Sequence, residues 1–156
     1  MDRSNARIIA LLGNEGVSLD GVYYCPHVSA EYVAKTKAKY GNDVFINPDF
    51  VRECREYKPM TGMIEKAVKD IWHSPAEPAH CRIYVIGDRV DADIELARRA
   101  KGIGVFVPSD VKDHSSLAEA HAFQKEHPES IIYVAKSFVD GASWILQRET
   151  KHLRAA

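Results

Sequence analysis

A chain of 156 residues, 46% hydrophobic and 28% charged, can bury one respectable core, and no shift in composition divides it, so one domain over 1–156 is expected. Its 21 Lys and Arg against 22 Asp and Glu leave a net charge of -1, which excludes the strong field that gathers nucleic acid or an anionic membrane surface. The apolar runs are too short to span a bilayer, the first residues lack a signal-peptide layout, and three cysteines without framework spacing fit a reducing compartment, so a cytoplasmic location is expected.

In chain order, Arg3 to Leu12 reads as a short helix with Ser4 as N-cap and Gly13 and Gly16 as stops, and Leu19 to Cys25 reads as a strand. Ala30 to Lys39 fits a Lys-rich solvated helix, Gly41-Asn42-Asp43 a turn and Asn47-Pro48-Asp49 a helix start, so residues 28–53 read as an elaborated loop. Thr61 to Trp72 places Met63, Ile64, Ala67, Val68 and Ile71 at helical spacing, and a loop punctuated by Pro75 and Pro78 follows. Ile83 to Ile86 is an apolar run ending in Gly87-Asp88; Asp91 to Ala100 reads as a helix and Gly102 to Val107 as a second apolar strand. A polar loop and helix between Pro108 and Pro128, a strand over Ile131 to Val134 and a helix over Phe138 to Arg154 complete the alternation. The expected fold is therefore α/β, a mostly parallel sheet with flanking helices.

Parallel sheets bind ligands at the carboxyl edge of their strands, and Asp88 stands there with Asp93 close behind it. Two such acids suit a hard cation such as Mg²⁺, which takes one or two carboxylates and leaves its other positions to water and phosphate. The plainer alternative is a turn aspartate followed by a helix-capping one, since Asp is favoured in both places. Trp72, Trp144 and Tyr23-Tyr24 read as core or core-edge aromatics, Cys81 reads as core, and the scattered histidines His73, His80, His114, His121, His127 and His152 carry no role.

Three blocks in order, Asp20-Gly-Val-Tyr-Tyr-Cys-Pro-His27, Lys58-Pro-Met-Thr-Gly-Met63 and Val85-Ile-Gly-Asp-Arg-Val-Asp-Ala-Asp93, resemble the haloacid dehalogenase superfamily of phosphatases, in the branch of heptose-bisphosphate and histidinol-phosphate phosphatases. The resemblance covers roughly Leu12 to Val107 and implies a Rossmann-like core and Mg²⁺-dependent hydrolysis of a small phosphorylated sugar or metabolite. It implies that an aspartate attacks the phosphoryl group while a lysine and Mg²⁺ neutralise its oxygens. Lys58 matches that lysine, and Asp88 matches the aspartate that holds Mg²⁺. Asp93 matches the second metal acid, in the variant of the motif with four residues between the carboxylates. Arg89 stands where relatives carry Lys or Arg and is expected at the substrate phosphate or at the leaving-group side of the substrate. Arg55 is a second candidate for that phosphate, although two extra residues before Lys58 break the family spacing.

The departures carry as much information as the matches. The nucleophile of such phosphatases lies in an Asp-x-Asp-Gly segment ending the first strand, and a Ser or Thr phosphate ligand ends the second; neither segment is found here. The only Asp-x-Asp is Asp91-Ala92-Asp93, inside the later motif. The expectation is thus a core incomplete on its N-terminal side and a chain inactive alone, or a non-catalytic relic serving as a binding or interaction module. The resemblance also implies that the missing strands lie between Leu19 to Cys25 and the strand ending at Gly87. That strand is then expected either to re-pair within the chain or to pair across its edge in a homodimer.

The same branch carries a Cys-x-His and a later Cys-x-Cys that together ligate Zn²⁺. Here Cys25-Pro26-His27 is the first pair, but the second reads Cys54-Arg55-Glu56. The alternatives are a mixed site of Cys25, His27, Cys54 and Glu56, or a loop that has lost its metal.

Overall fold

The computed structural model describes residues 3–71, 82–109 and 114–155. The α/β architecture expected from the sequence is present: three parallel strands, β1 (Tyr84–Gly87), β2 (Ile103–Phe106) and β3 (Ile131–Val134), lie in the order β1-β2-β3. Tyr84 pairs with Ile103 and Ile103 with Ile131, so the three strands start together and end together.

The helices are, in chain order, α1 (Arg3–Asn14), α2 (Ala30–Tyr40), α3 (Gly62–Ile71), α4 (Glu95–Arg99), α5 (His114–Glu126) and α6 (Phe138–Ala155), of which α4, α5 and α6 pack on the strands. Side chains alternate along β2 as a pleated strand requires. Gly104 and Phe106 face one layer, where Phe106 packs with Val90, Ile94 and Ala120, supported by Leu117, Phe123, Ile132 and Val134. Val105 faces the other layer, where Gly141 of α6 comes so near that an added Cβ would meet its side chain at 2.7 Å. Phe106 and Val105 are both 0% exposed, which makes β2 the centre of the core.

That core is one-sided. No described residue before Val90 is buried, and α2 and α3 contribute none. Several large apolar side chains among the described residues stay uncovered. Phe45 (85% exposed), Leu11, Leu19 and Tyr24 are among them.

The strand expected over Leu19 to Cys25 does not form; these residues run as irregular chain. A strand needs a neighbour for its backbone groups, and no described strand lies beside it. Nor does β1 re-pair within the chain: among the described residues its outer edge has no partner. Ser4 falls inside α1 rather than at its cap, and Gly13 is helical too; the stop is Gly16, at φ 75. Asn47-Pro48-Asp49 opens only a single 3₁₀ turn, Pro48–Phe50. Ser29 caps α2 by accepting from the Tyr32 N–H at 3.1 Å, as a Ser at that position should. Trp72, His73, Cys81, His80 and the Pro75/Pro78 loop lie outside the described residues.

Candidate functional site

Beyond β1 the chain takes an unusual path. The five residues Val90–Ile94 form one π-helical turn, in which the Ile94 N–H reaches back to the Arg89 carbonyl at 3.2 Å, before α4 begins at Glu95. A π turn takes up one extra residue within a helix. It returns Asp93 to the strand end despite the four residues separating it from Asp88. Asp93 is 5% exposed and lies against the bare Cα of Gly87; any side chain at 87 would collide with its carboxylate.

Lys58 arrives from the opposite wall. Residues Tyr57–Met60 form a turn, closed by the Met60 N–H on the Tyr57 carbonyl at 2.8 Å and containing a cis Lys58–Pro59 bond. Gly62 lets the Arg55 backbone close on it: its N–H bonds to the Arg55 carbonyl at 2.8 Å, where an added Cβ would sit 2.5 Å from that oxygen. From this turn Lys58 Nζ bonds to Asp93 Oδ1 at 2.6 Å, and the Arg89 N–H bonds to Asp93 Oδ2 at 3.2 Å. Both Asp93 oxygens are therefore engaged, whereas exposed Asp88 has no protein partner among the described residues.

Lys58, Asp88, Arg89 and Asp93 share one cleft of about 400 Å³ at the carboxyl edge of the sheet. Tyr23, Tyr24, Cys25, Tyr57, Met63 and Ala92 complete its walls. Tyr23 and Tyr24 are thus cleft residues rather than core; Tyr24 is 49% exposed. Tyr57 was missed, and its place beside Lys58 was the available signal. Arg89 turns its guanidinium onto Asp91 through two bonds of 3.1 and 2.8 Å, at the rim.

Arg55 does not enter this cleft. Its guanidinium bonds to Glu65 at 2.9 Å and lines a neighbouring groove with Lys66 and Lys69.

The cysteine pattern converges in space. A parallel bridge between Val28 and Val51 ties together the ends of the 28–53 loop, with the Val28 N–H on the Phe50 carbonyl at 2.8 Å and the Arg52 N–H on the Val28 carbonyl at 3.0 Å. Cys25 Sγ comes within 3.1 Å of Cys54 Sγ and 3.5 Å of His27 Nδ1. The ligand atoms of all three residues lie within 4.8 Å of one another. Burial, then the hydrogen bond to Cys54, pushes the Cys25 thiol above its ordinary value. These are donors of the kind zinc takes, one fewer than a closed structural site needs.

Residues 57–138, which contain the Lys58 turn, the Gly87-Asp88 strand end and all three strands, match the model of the HAD-hydrolase-like family. The chain belongs to that family. It is 34% identical over 79 residues to the D-glycero-beta-D-manno-heptose-1,7-bisphosphate 7-phosphatase of Haemophilus ducreyi, covering 49% of this chain and 31% of that protein. It is 32% identical over 100 residues to the Haemophilus influenzae protein of the same name, covering 64% of this chain and 40% of the relative. The Pasteurella multocida protein of that name is 32% identical over 90 residues, covering 58% and 38%. The chain thus spans between about a third and two fifths of the curated relatives it matches. No solved structure matches it. These HAD-like similarities agree with the branch that the sequence blocks resemble. No described helix is long and apolar enough to cross a membrane.

Proposed function

We propose that this chain carries the lysine and metal half of a phosphomonoesterase site for a small phosphorylated sugar or metabolite. The observation that supports this most is Lys58 Nζ at 2.6 Å from Asp93 Oδ1, in one cleft with Asp88 and Arg89. Asp88 fits Mg²⁺ on chemical grounds: an exposed carboxylate at a strand end, free of protein partners among the described residues, beside a second acid already held in place. When bound, Mg²⁺ would neutralise charge on the phosphoryl oxygens. Asp93 holds the Lys58 ammonium at the cleft, where Lys58 would meet the same oxygens. Arg89 would meet the phosphate from the rim.

The cleft's carboxylates among the described residues are Asp88 and Asp93, and both have duties in this reading. A nucleophile must therefore come from elsewhere, and this chain by itself binds phosphate without turning it over. Cys25, His27 and Cys54 would hold Zn²⁺, with Glu56 or water in the fourth position. Loop 28–53 would adjust specificity. Its lysines favour a solvated helix face over a substrate contact, since Lys35 already pairs with Glu31 at 2.8 Å.

A second reading, a non-catalytic module that binds a partner, is favoured by the uncovered apolar residues and by the free edge of β1. A second copy pairing along that edge is the homodimer this reading requires.

The deciding experiment is an aryl phosphatase assay with Mg²⁺ beside calorimetric titration of inorganic phosphate, on wild type, Lys58→Ala and Asp88→Asn. We expect no turnover, with Mg²⁺-dependent phosphate binding lost in both variants. Turnover that both variants abolish would mean that the chain owns a nucleophile. Absence of Mg²⁺-dependent binding, with self-association in sedimentation, would replace the phosphatase reading by the interaction module.

A further inference from the structure

The opposite edge of the sheet holds a cavity that the phosphatase reading leaves unused. It has a volume of about 480 Å³ and opens at the amino ends of the strands, between Arg82 before β1, Ile103 at the start of β2 and Ser130 before β3, with Arg148 and His152 of α6 across from them. Arg98 and Lys101 close one side.

Two features make this more than a basic surface. The first is a surplus of positive charge. Arg82 is matched by Glu149 at 3.0 and 3.1 Å, and Arg98 by Glu95 at 2.7 Å. Arg148 and Lys101 have no ion pair among the described residues; Arg148 lies over the Trp144 ring at 5.4 Å. The wall's one carboxylate, Glu129, faces His127 at 3.6 Å. The second feature is a pair of buried orphan groups. Arg148 Nε and the Ser130 hydroxyl are both buried and lack any hydrogen-bond partner, and both residues line this cavity. The Ser130 backbone is fully used, its N–H on His127 and its carbonyl on Gln124, so the hydroxyl alone is left over.

A buried donor left unsatisfied costs about 1–3 kcal/mol, so such groups favour any rearrangement or occupant that supplies a partner. A guanidinium and a hydroxyl on the walls of one positive cavity are matched best by an oxyanion, because charge-assisted bonds to Arg are about twice as strong as neutral ones. We propose that this amino-edge cavity is a second anion site, built to take the phosphate group of a small molecule on Arg148 and Ser130, with Lys101 supplying charge at the rim. It lies at the far end of the strands from Lys58 and Asp88, and its occupancy is independent of the reading of that cleft.

The test is a titration of the full chain with inorganic phosphate, followed residue by residue in ¹H–¹⁵N spectra. We expect saturable shifts at the amides of Gly102, Ile103, Ser130 and Ile131. These should persist in Lys58→Ala and weaken about tenfold in Arg148→Met, the worth of one charge-assisted bond. Ser130→Ala, a smaller change, should weaken them less while keeping the native spectrum. Arg148→Lys serves if Arg148→Met does not fold, and should also bind more weakly because it lacks the fork. Absence of shifts at these amides in wild type would mean that water fills the cavity, and would overturn the site. Shifts unchanged in both Ser130→Ala and the folded Arg148 variant, or shifts lost in Lys58→Ala, would overturn it equally.

Discussion

The carboxylate of Asp93 is seated on Gly87, in space that any side chain at position 87 would fill. This seat fixes the acid where Lys58 reaches it, so the glycine at the strand end is a steric requirement of the ion pair. Gly87→Ala should push Asp93 off Lys58 and cost about 1–3 kcal/mol, the usual range for overfilling a packed site. Urea unfolding measures it. In Gly87→Ala/Asp93→Gly the carboxylate and the Cβ that collide are both gone, so the double variant should lose less than the sum of the singles. Strict additivity would mean that the two residues do not share this space.

The two acids of the cleft differ in burial, and their variants should separate. Asp93 is 5% exposed and paired, while the Lys58 side chain is 45% exposed and can regain water. Asp93→Asn should therefore cost about 1–2 kcal/mol, below the loss for a fully buried pair. Asp88→Asn should change stability by less than about 0.5 kcal/mol, as an exposed site does, yet abolish any stabilisation of the fold by Mg²⁺. Thermal unfolding with and without Mg²⁺ reads both. A magnesium response retained in Asp88→Asn would remove Asp88 from the metal site.

Acid should loosen the helix behind the cleft. Hydrogen bonds from Arg98, then Arg99, hold Glu95 down at about 2 against an ordinary value of 4.5. A carboxylate depressed on folding gives stability that is complete above its unfolded pKa and is lost as pH falls through the folded one. The window is therefore from about pH 4.5 down to about pH 2, and the contribution at neutral pH is at most about 3 kcal/mol. Glu95→Gln should be less stable than wild type at pH 7 and approach it as the pH falls through this window. Parallel stability curves would show that Glu95 has no such role.

How far the sequence disclosed this arrangement depends on the distance over which each signal acts. Local signals carried through: the apolar runs became β1, β2 and β3, Gly16 and Gly41 ended helices, and Gly87-Asp88 closed a strand. The strand read over Leu19 to Cys25 failed because strand formation depends on a neighbour, which alternation within the segment cannot reveal. The helix read from Asp91 begins instead with a π turn, since hydrophobic spacing does not distinguish one extra residue taken up at a helix start. Lys58 and Asp93 both stand out in the sequence, but their direct bond does not, because Asp93 reads there toward metal alone. The ion pair of Arg55 is hidden for the converse reason: nearness in sequence to Lys58 says nothing of Glu65, which takes its guanidinium.

The Cys25, His27 and Cys54 cluster offers a spectroscopic prediction. Two thiols and an imidazole lie within 4.8 Å of one another before any metal is added, so little rearrangement opposes binding. Co²⁺ added to the reduced chain should give intense near-ultraviolet thiolate bands and the visible bands of a tetrahedral site, and Zn²⁺ should displace it. Cys54→Ser should halve the thiolate band per metal, and Cys25→Ser/Cys54→Ser should abolish it. Zn²⁺ at a hundred times its dissociation constant should stabilise the chain by about 2.7 kcal/mol, since the native loop holds ligands together that the unfolded chain scatters. Reductant must be present throughout, because Sγ atoms 3.1 Å apart can oxidise to a disulfide, which removes both thiolates. Absence of thiolate bands in the reduced, folded chain would mean that replacing the second cysteine of the motif by Glu56 has cost the loop its metal.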